Sequence, residues 1–269
     1  MDNSRKNLIR LYSCKGWKKL KLKDAPITKY KRKAVLYLSV VQRIRYRATD
    51  SVMMVRFHPD RPRGRKMIRE FVYQRLNFLI NNVQVEHSSF LNQYAKDFIK
   101  GIQEKCDVNM SHVFIENFPI IVAIHDIGKK HIPDYILEKK TQLTDDEYEC
   151  VQRHCILGYE DLQEAFNNIP LNEEERELIE LCKESCLYHH ERLDGSGYPY
   201  GCKQIPLIAQ MVGILDSFDA MTVNRCYKKA MSKEEAIKKL IQSDKYNEEF
   251  IYVLSEVIEN ENEIRNSDK

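Results

Sequence analysis

Eleven consecutive residues, His189-His190-Glu191-Arg192-Leu193-Asp194-Gly195-Ser196-Gly197-Tyr198-Pro199, constrain the fold more than any other stretch of the chain. Two adjacent imidazoles running into a Gly-rich turn do not form a packing pattern. A second pair of ligand-type residues, His125-Asp126, lies 64 residues upstream. Imidazole and carboxylate are ligand types that suit zinc, iron and manganese. A fold that uses both pairs must carry distant segments to one place, and two such pairs suggest a site for more than one metal.

The surrounding text is helical. Apolar residues recur at helical spacing over Arg65–Val83 and His87–Ile102, and Ser111–Ile127 is apolar enough to be a buried helix that Pro119 must start, kink or interrupt. Thr144-Asp145-Asp146-Glu147 is a capping box opening a helix to about Ala165, and Ser232-Lys233-Glu234-Glu235 opens another through Ile241. Asn172–Tyr188 is amphipathic with an acidic first turn, which suits the helix dipole. Pro206–Val223 reads as a further buried helix, and Glu248–Ile258 as a last one before a fraying polar tail. From Arg65 onward no segment reads as a strand. The expected class is mainly α, a helical bundle preceded by a small, basic, partly β region.

Charge divides the chain at the same place. Residues 1–70 carry 21 Lys+Arg against 5 Asp+Glu, a balance of +16, and the remainder carries 22 against 35, a balance of −13. Within the basic part, Arg43, Arg45 and Arg47 alternate with Ile44 and Tyr46 in the Ala34–Phe57 stretch, the period of a strand with one wet face. Pro59, Pro62 and Gly64 read as a linker. The expected division is therefore 1–64, 65–260 and a polar tail 261–269. Basic residues interleaved with Trp17, Tyr12 and Tyr30 permit nucleic-acid binding, and equally an acidic membrane surface or an acidic protein. No apolar run approaches the about 20 residues of a membrane helix, and the N-terminus lacks an apolar signal core, so a cytoplasmic protein is expected. The eight cysteines include no CxxC pair and read as reduced thiols rather than disulfides or a thiolate zinc site.

Histidines 87, 125, 154, 189 and 190 and aspartates 126 and 216 all fall on or at the ends of these helical segments. Neighbours on a helix point about 100° apart, so His125 and Asp126 serve one centre only at a helix end. Asp216 lies inside the apolar Ile214-Leu215-Asp216-Ser217-Phe218, where a cation or a hydrogen-bonding partner is expected for it. A lone helical histidine is ordinarily a satisfied or exposed one, and His58, His112 and His131 stay in that class.

The motifs His125-Asp126-Ile127-Gly128-Lys129, Ile132-Pro133-Asp134, Arg153-His154, His189-His190 and Asp194-Gly-Ser-Gly-Tyr-Pro199 together resemble the HD-GYP domain, a branch of the HD phosphohydrolase superfamily. The resemblance extends from His87-Ser88 to Asp216-x-x-Asp219-Ala220, Arg225-x-Tyr227-Lys228 and Ser232-x-Glu234-Glu235-Ala236, covering roughly residues 68–258. It implies an HD-type helical bundle with two divalent ions, iron or manganese, held by His87, His125, Asp126, His154, His189, His190 and Asp216, with Asp126 bridging.

The activity implied is a metal-dependent phosphodiesterase that hydrolyses a cyclic dinucleotide, cyclic di-GMP or the mixed cyclic GMP-AMP, by attack of a metal-bridging hydroxide. Lys129 resembles the lysine that meets the scissile phosphate, so Asp126 and Lys129 are the expected catalytic residues. Arg225 and Lys228 match positions that contact the dinucleotide, against the plainer reading of a solvated basic face. Gly197 and Tyr198 belong to a loop assigned to substrate recognition or to docking of a signalling protein, where Tyr198 can stack on a base. Three departures stand out. The segment after Pro199 is about two residues short, His131 replaces a small residue, and Val83 stands where members with three metals carry glutamate. The alternatives are a non-catalytic module that binds dinucleotide or a partner, and an HD phosphohydrolase acting on another nucleotide.

Overall fold

The computed structural model of the protein describes residues 10–13, 16–19, 62–82, 88–223 and 229–267. The chain divides into two compact units, Met1–Gly64 and Arg65–Lys269. In the first, β1 (Arg10–Ser13) and β2 (Gly16–Lys19) pair antiparallel, Arg10 opposite Lys19 and Ser13 opposite Gly16. This hairpin lies in a stretch whose sequence shows only interrupted basic text. The alternating Ala34–Phe57 segment falls outside the described residues, as do His87, Arg225 and Lys228.

From Pro62 onward the described residues are helical: α1 (Pro62–Asn81), α2 (Ser88–Lys105), α3 (His112–Ile124), a 3-10 turn (Ile127–His131), α4 (Asp134–Leu137), α5 (Asp145–Gln152), α6 (His154–Ala165), α7 (Glu173–Tyr188), α8 (Leu207–Thr222), α9 (Lys233–Ile241) and α10 (Glu248–Ser267). The mainly α class is as expected, and no described helix is long and apolar enough to cross a membrane. Local chemistry sets the starts. Ser111 caps α3 by accepting from the Phe114 amide, and Thr144/Glu147, Asn172/Glu175 and Ser232/Glu235 close reciprocal capping boxes at α5, α7 and α9.

Three details differ from the sequence pattern. Pro119 sits inside α3 without ending it. The helix expected from Thr144 to Ala165 is two helices, because at Arg153 the ladder gives way: the Val151 carbonyl receives the Arg153 amide and the His154 Nδ1. The tail expected to fray after Ile258 continues helical to Ser267.

Packing places α7 at the centre, against α3, α6 and α8, while α2 and α10 close the far side. Phe98, Phe118, Ile121, Cys182, Ile208, Phe218 and Phe250 lie in one continuous apolar core, the Phe and Ile side chains each contributing on the order of 1.5–3 kcal/mol by leaving water. Two close backbone approaches fix where the helix ends lie. A Cβ on Gly128 would lie 2.0 Å from the His154 carbonyl oxygen, and one on Gly213 would lie 2.5 Å from that of His189. The 3-10 turn therefore sits directly against α6, and α8 against the end of α7. The turn is further tied down by Asp161 of α6, whose Oδ2 is 3.0 Å from Lys130 Nζ and 2.8 Å from His131 Nε2.

Gly128→Ala should cost at least the roughly 1–3 kcal/mol of an overpacked core, since its neighbour is backbone and cannot rotate away. Urea unfolding of the two proteins measures it, and an unchanged midpoint would contradict the contact.

Candidate metal centre

The cluster is assembled from helix ends. His125 follows the last residue of α3, His154 opens α6 just after α5 ends, and His189 and His190 follow α7. The last carbonyls of a helix have no partner within it. Here they take imidazole N–H groups: His125 Nδ1 donates to Val122 O (2.6 Å), His154 Nδ1 to Val151 O (2.7 Å), and His189 Nδ1 to Ser185 O (2.9 Å) and Cys186 O (3.1 Å). A carbonyl can only accept, so each Nδ1 carries a proton and Nε2 is the atom left to offer a lone pair to a cation. All three Nε2 atoms face inward.

What they face is carboxylate. Asp126 Oδ1 is 3.2 Å from His154 Nε2 and 3.7 Å from His189 Nε2, while its Oδ2 is 3.3 Å from His125 Nε2 and is also held by the Lys129 ammonium. Asp216 spans the other side, with Oδ1 3.7 Å from His125 Nε2 and Oδ2 3.9 Å from His190 Nδ1. Asp126, His154, His189 and His190 form one group of potential ligands, and His125, His189 and Asp216 a second, each with its ligand atoms within 4.8 Å of one another. The helix geometry that separates His125 from Asp126 is escaped because α3 ends between Ile124 and the 3-10 turn.

The donor set fits a divalent cation. His154 Nε2 and His189 Nε2 are 3.3 Å apart with both lone pairs converging, and His125 Nε2 and Asp126 Oδ1 are buried without a hydrogen-bond partner. Such groups are costly to bury unless a cation joins them. Among the described residues no cysteine enters either group, and all six described cysteines are free thiols.

Electrostatics agree. Burial would raise both carboxyls, but Lys129 and His125 beside Asp126, and His125 and His190 beside Asp216, hold both well below the usual carboxylate range. Burial, followed by the neighbouring imidazoles, lowers His189 to about 3 and carries His190 well below its ordinary value. At His125 burial opposes the charge, yet Asp126 and Asp216 raise it to about 10.

The Gly-Tyr-Pro loop is bound to this cluster by its own chain. Glu191, buried directly after the two histidines, turns back so that Oε1 accepts from the Tyr200 amide (2.7 Å) and Oε2 from the Cys202 amide (3.0 Å). Gly195 adopts φ +83°, the left-handed region open to glycine. Gly197 lies so close to the preceding stretch of chain that a Cβ would be 2.4 Å from Glu191 Cα. The Tyr198 ring stacks on His190 (4.5 Å, 28°), so one of its faces is spent within the chain. Arg192 locks the other side: Nη1 donates to the carbonyls of His189 (2.9 Å) and Glu191 (2.7 Å), Nη2 to Ser217 Oγ (3.2 Å), and the guanidinium lies 4.8 Å over the Tyr246 ring.

Of the expected site residues, His125, Asp126, Lys129, His154, His189, His190 and Asp216 are brought together, with Tyr198 against them and Gly197 in the adjoining loop. His87, Arg225 and Lys228 lie outside the described residues. Sequence reasoning does not single out Glu191 and Arg192. Their only signal is their place immediately after the double histidine.

Residues 81–248 match the HD domain family, so the chain belongs to that family, in keeping with its HD-GYP resemblance. It is 40% identical over 136 residues to a cyclic di-GMP phosphodiesterase of Thermotoga maritima, covering 50% of this chain and 34% of that protein. It is 40% identical over 121 residues to a cyclic di-GMP phosphodiesterase of Pseudomonas aeruginosa (44% and 27%), and 39% identical over 116 residues to a 3′3′-cGAMP-specific phosphodiesterase of Vibrio cholerae (42% and 24%). The match thus spans about a third or less of each of these relatives.

With its value raised to about 10, His125 is protonated at neutral pH in the metal-free protein, and a cation must displace that proton. Titrating Mn²⁺ at pH 7 in buffers of different ionisation enthalpy should register about one proton released, and affinity should rise by about tenfold per pH unit through the neutral range. Glu191→Ala should remove two charge-assisted hydrogen bonds, a loss of roughly 1.5–3 kcal/mol each at most. Hydrogen exchange at the Tyr200 and Cys202 amides should accelerate, and protection equal to the parent's would show the clamp to be idle.

Proposed function

We propose that residues 65–260 form a metal-dependent phosphodiesterase that opens a cyclic dinucleotide, cyclic di-GMP in the first place and the mixed cyclic GMP-AMP in the second. The observation that carries this is the convergence of His125, His154 and His189 Nε2 on the two oxygens of a buried Asp126, beside the ammonium of Lys129. The names of the relatives supply the substrate class.

The donor set suits two ions, iron or manganese by its mix of imidazole and carboxylate. His154, His189 and His190 would serve one and His125 and Asp216 the other, with Asp126 between them and His87 completing the set. Bound there, two divalent cations supply an acidified water and neutralise charge on a phosphate. The protein's own contribution is positional. The carbonyl-bound Nδ1 atoms fix the imidazoles in one tautomer, so no ring has to reorient when substrate arrives. Lys129, half-buried on a turn held by Asp161, keeps a cation beside the cluster, where it can meet a phosphate oxygen. Arg225 and Lys228 would contact the dinucleotide, since a guanidinium can fork onto phosphate or a guanine edge. Tyr198 and Gly197 shape the wall beside His190.

The full chain, purified with Mn²⁺ or anaerobically with Fe²⁺, should hydrolyse cyclic di-GMP to linear products resolved by chromatography. A chelator should abolish this and added metal restore it. Asp126→Ala should reduce turnover by more than the roughly 10–100-fold typical of residues that only support a metal ligand. Tight dinucleotide binding without turnover under every metal would instead make the protein a binding module.

A further inference from the structure

Helix α5 buries none of its residues, yet it carries an aromatic side chain in ring contact with the Gly-Tyr-Pro loop. Tyr148 is 50% exposed. Its ring lies 6.2 Å from that of Tyr198, at 77°. Tyr198 in turn stacks on His190 and meets His154 edge-on at 6.4 Å. Seven large apolar or aromatic side chains are exposed among the described residues, and Tyr148 is the one in ring contact with a residue that touches the cluster. Its placement is not casual. The capping box fixes the start of α5, and Glu147, next to Tyr148, also holds the ammonium of Lys139 across the loop between α4 and α5.

Tyr148 and Tyr198 thus form a corner beside the histidines, with half of the Tyr148 surface in water. A planar partner can cover the exposed half of this ring. Every nucleobase has a face to offer, and stacking on an exposed aromatic is tolerant of which base it is. A base attached to a phosphate held at the cluster would find this corner next to His190 and His154, which the Tyr198 ring touches.

We propose that Tyr148 stacks on a nucleobase of the bound substrate, and so makes the site prefer a base-bearing phosphodiester to a base-free one. The inference rests on the phosphodiesterase function proposed above, and deepens it by naming a residue that recognises the base. Alanine substitution at such platforms weakens binding by roughly 5- to 150-fold per base.

The test uses the Mn²⁺-loaded full chain and two probes, GMP and ribose 5-phosphate, which differ in the base. The parent should bind GMP more tightly, by about tenfold. Tyr148→Ala should bring the two affinities together by weakening GMP alone, Tyr148→Trp should restore the preference, and Tyr148→Leu, which keeps bulk without a ring, should not. With cyclic di-GMP, KM in Tyr148→Ala should rise by more than kcat falls. Absence of a GMP preference in the parent, or its survival in Tyr148→Ala or Tyr148→Leu, overturns the stacking role. A preference lost in Tyr148→Ala, in a protein that turns over neither cyclic dinucleotide, upholds stacking and overturns the phosphodiesterase function. Turnover with an unchanged KM in Tyr148→Ala overturns stacking alone.

Discussion

The helical unit depends on one repeated interaction, an imidazole Nδ1–H donated to a carbonyl in the last turn of a helix. Val122, Val151 and Ser185 with Cys186 supply the carbonyls, and His125, His154 and His189 supply the rings. The bond has two effects at once. It gives carbonyls of the last helical turn a side-chain donor, beside the backbone amide that Val151 and Ser185 also accept, and it places a proton on Nδ1 of each ring. Three helices then have to end at the same place, and their packing is the fold.

That convergence explains the tight backbone contacts. Gly128 and Gly213 are small because the carbonyls of His154 and His189 pass directly over them. Any larger residue would push the 3-10 turn off α6, or α8 off α7, and would part Asp126 or Asp216 from the imidazoles they face. The buried carboxylates are tolerable for the same reason. Alone in an apolar core each would be expensive, but among converging nitrogens and the Lys129 ammonium their ionised form is the favoured one.

Much of this is legible in the sequence, and the limits have physical causes. Capping boxes at Thr144 and Ser232 announce helix starts to the residue, because two reciprocal hydrogen bonds demand particular residue types three positions apart. The ligand residues are legible because their types and order are shared with a family. The break at Arg153 is not, since no Gly or Pro marks it and it shows only in the Val151 carbonyl taking the Arg153 amide and the His154 Nδ1. The same holds for Glu191. A glutamate after two histidines gives no hint that it will reach amides nine and eleven residues ahead. Tyr148 reads in sequence as one more residue of the helix that the Thr144 capping box opens, and only the position of Tyr198 gives it significance.

Arg192 has a wider reach than its own loop. Its guanidinium joins the carbonyls of His189 and Glu191 to Ser217 of α8 and to the ring of Tyr246, while Leu193 N–H donates to the Lys245 carbonyl (3.1 Å). Tyr246 also shares a hydrogen bond with Ser217 (2.7 Å). The short connection ahead of α10 is thus a strut braced against the double histidine, although it contains no ligand-type residue of the cluster. A chain cut just before Lys245 would keep every described ligand-type residue of the centre, and would lose the buttress behind the guanidinium that holds the carbonyl of His189.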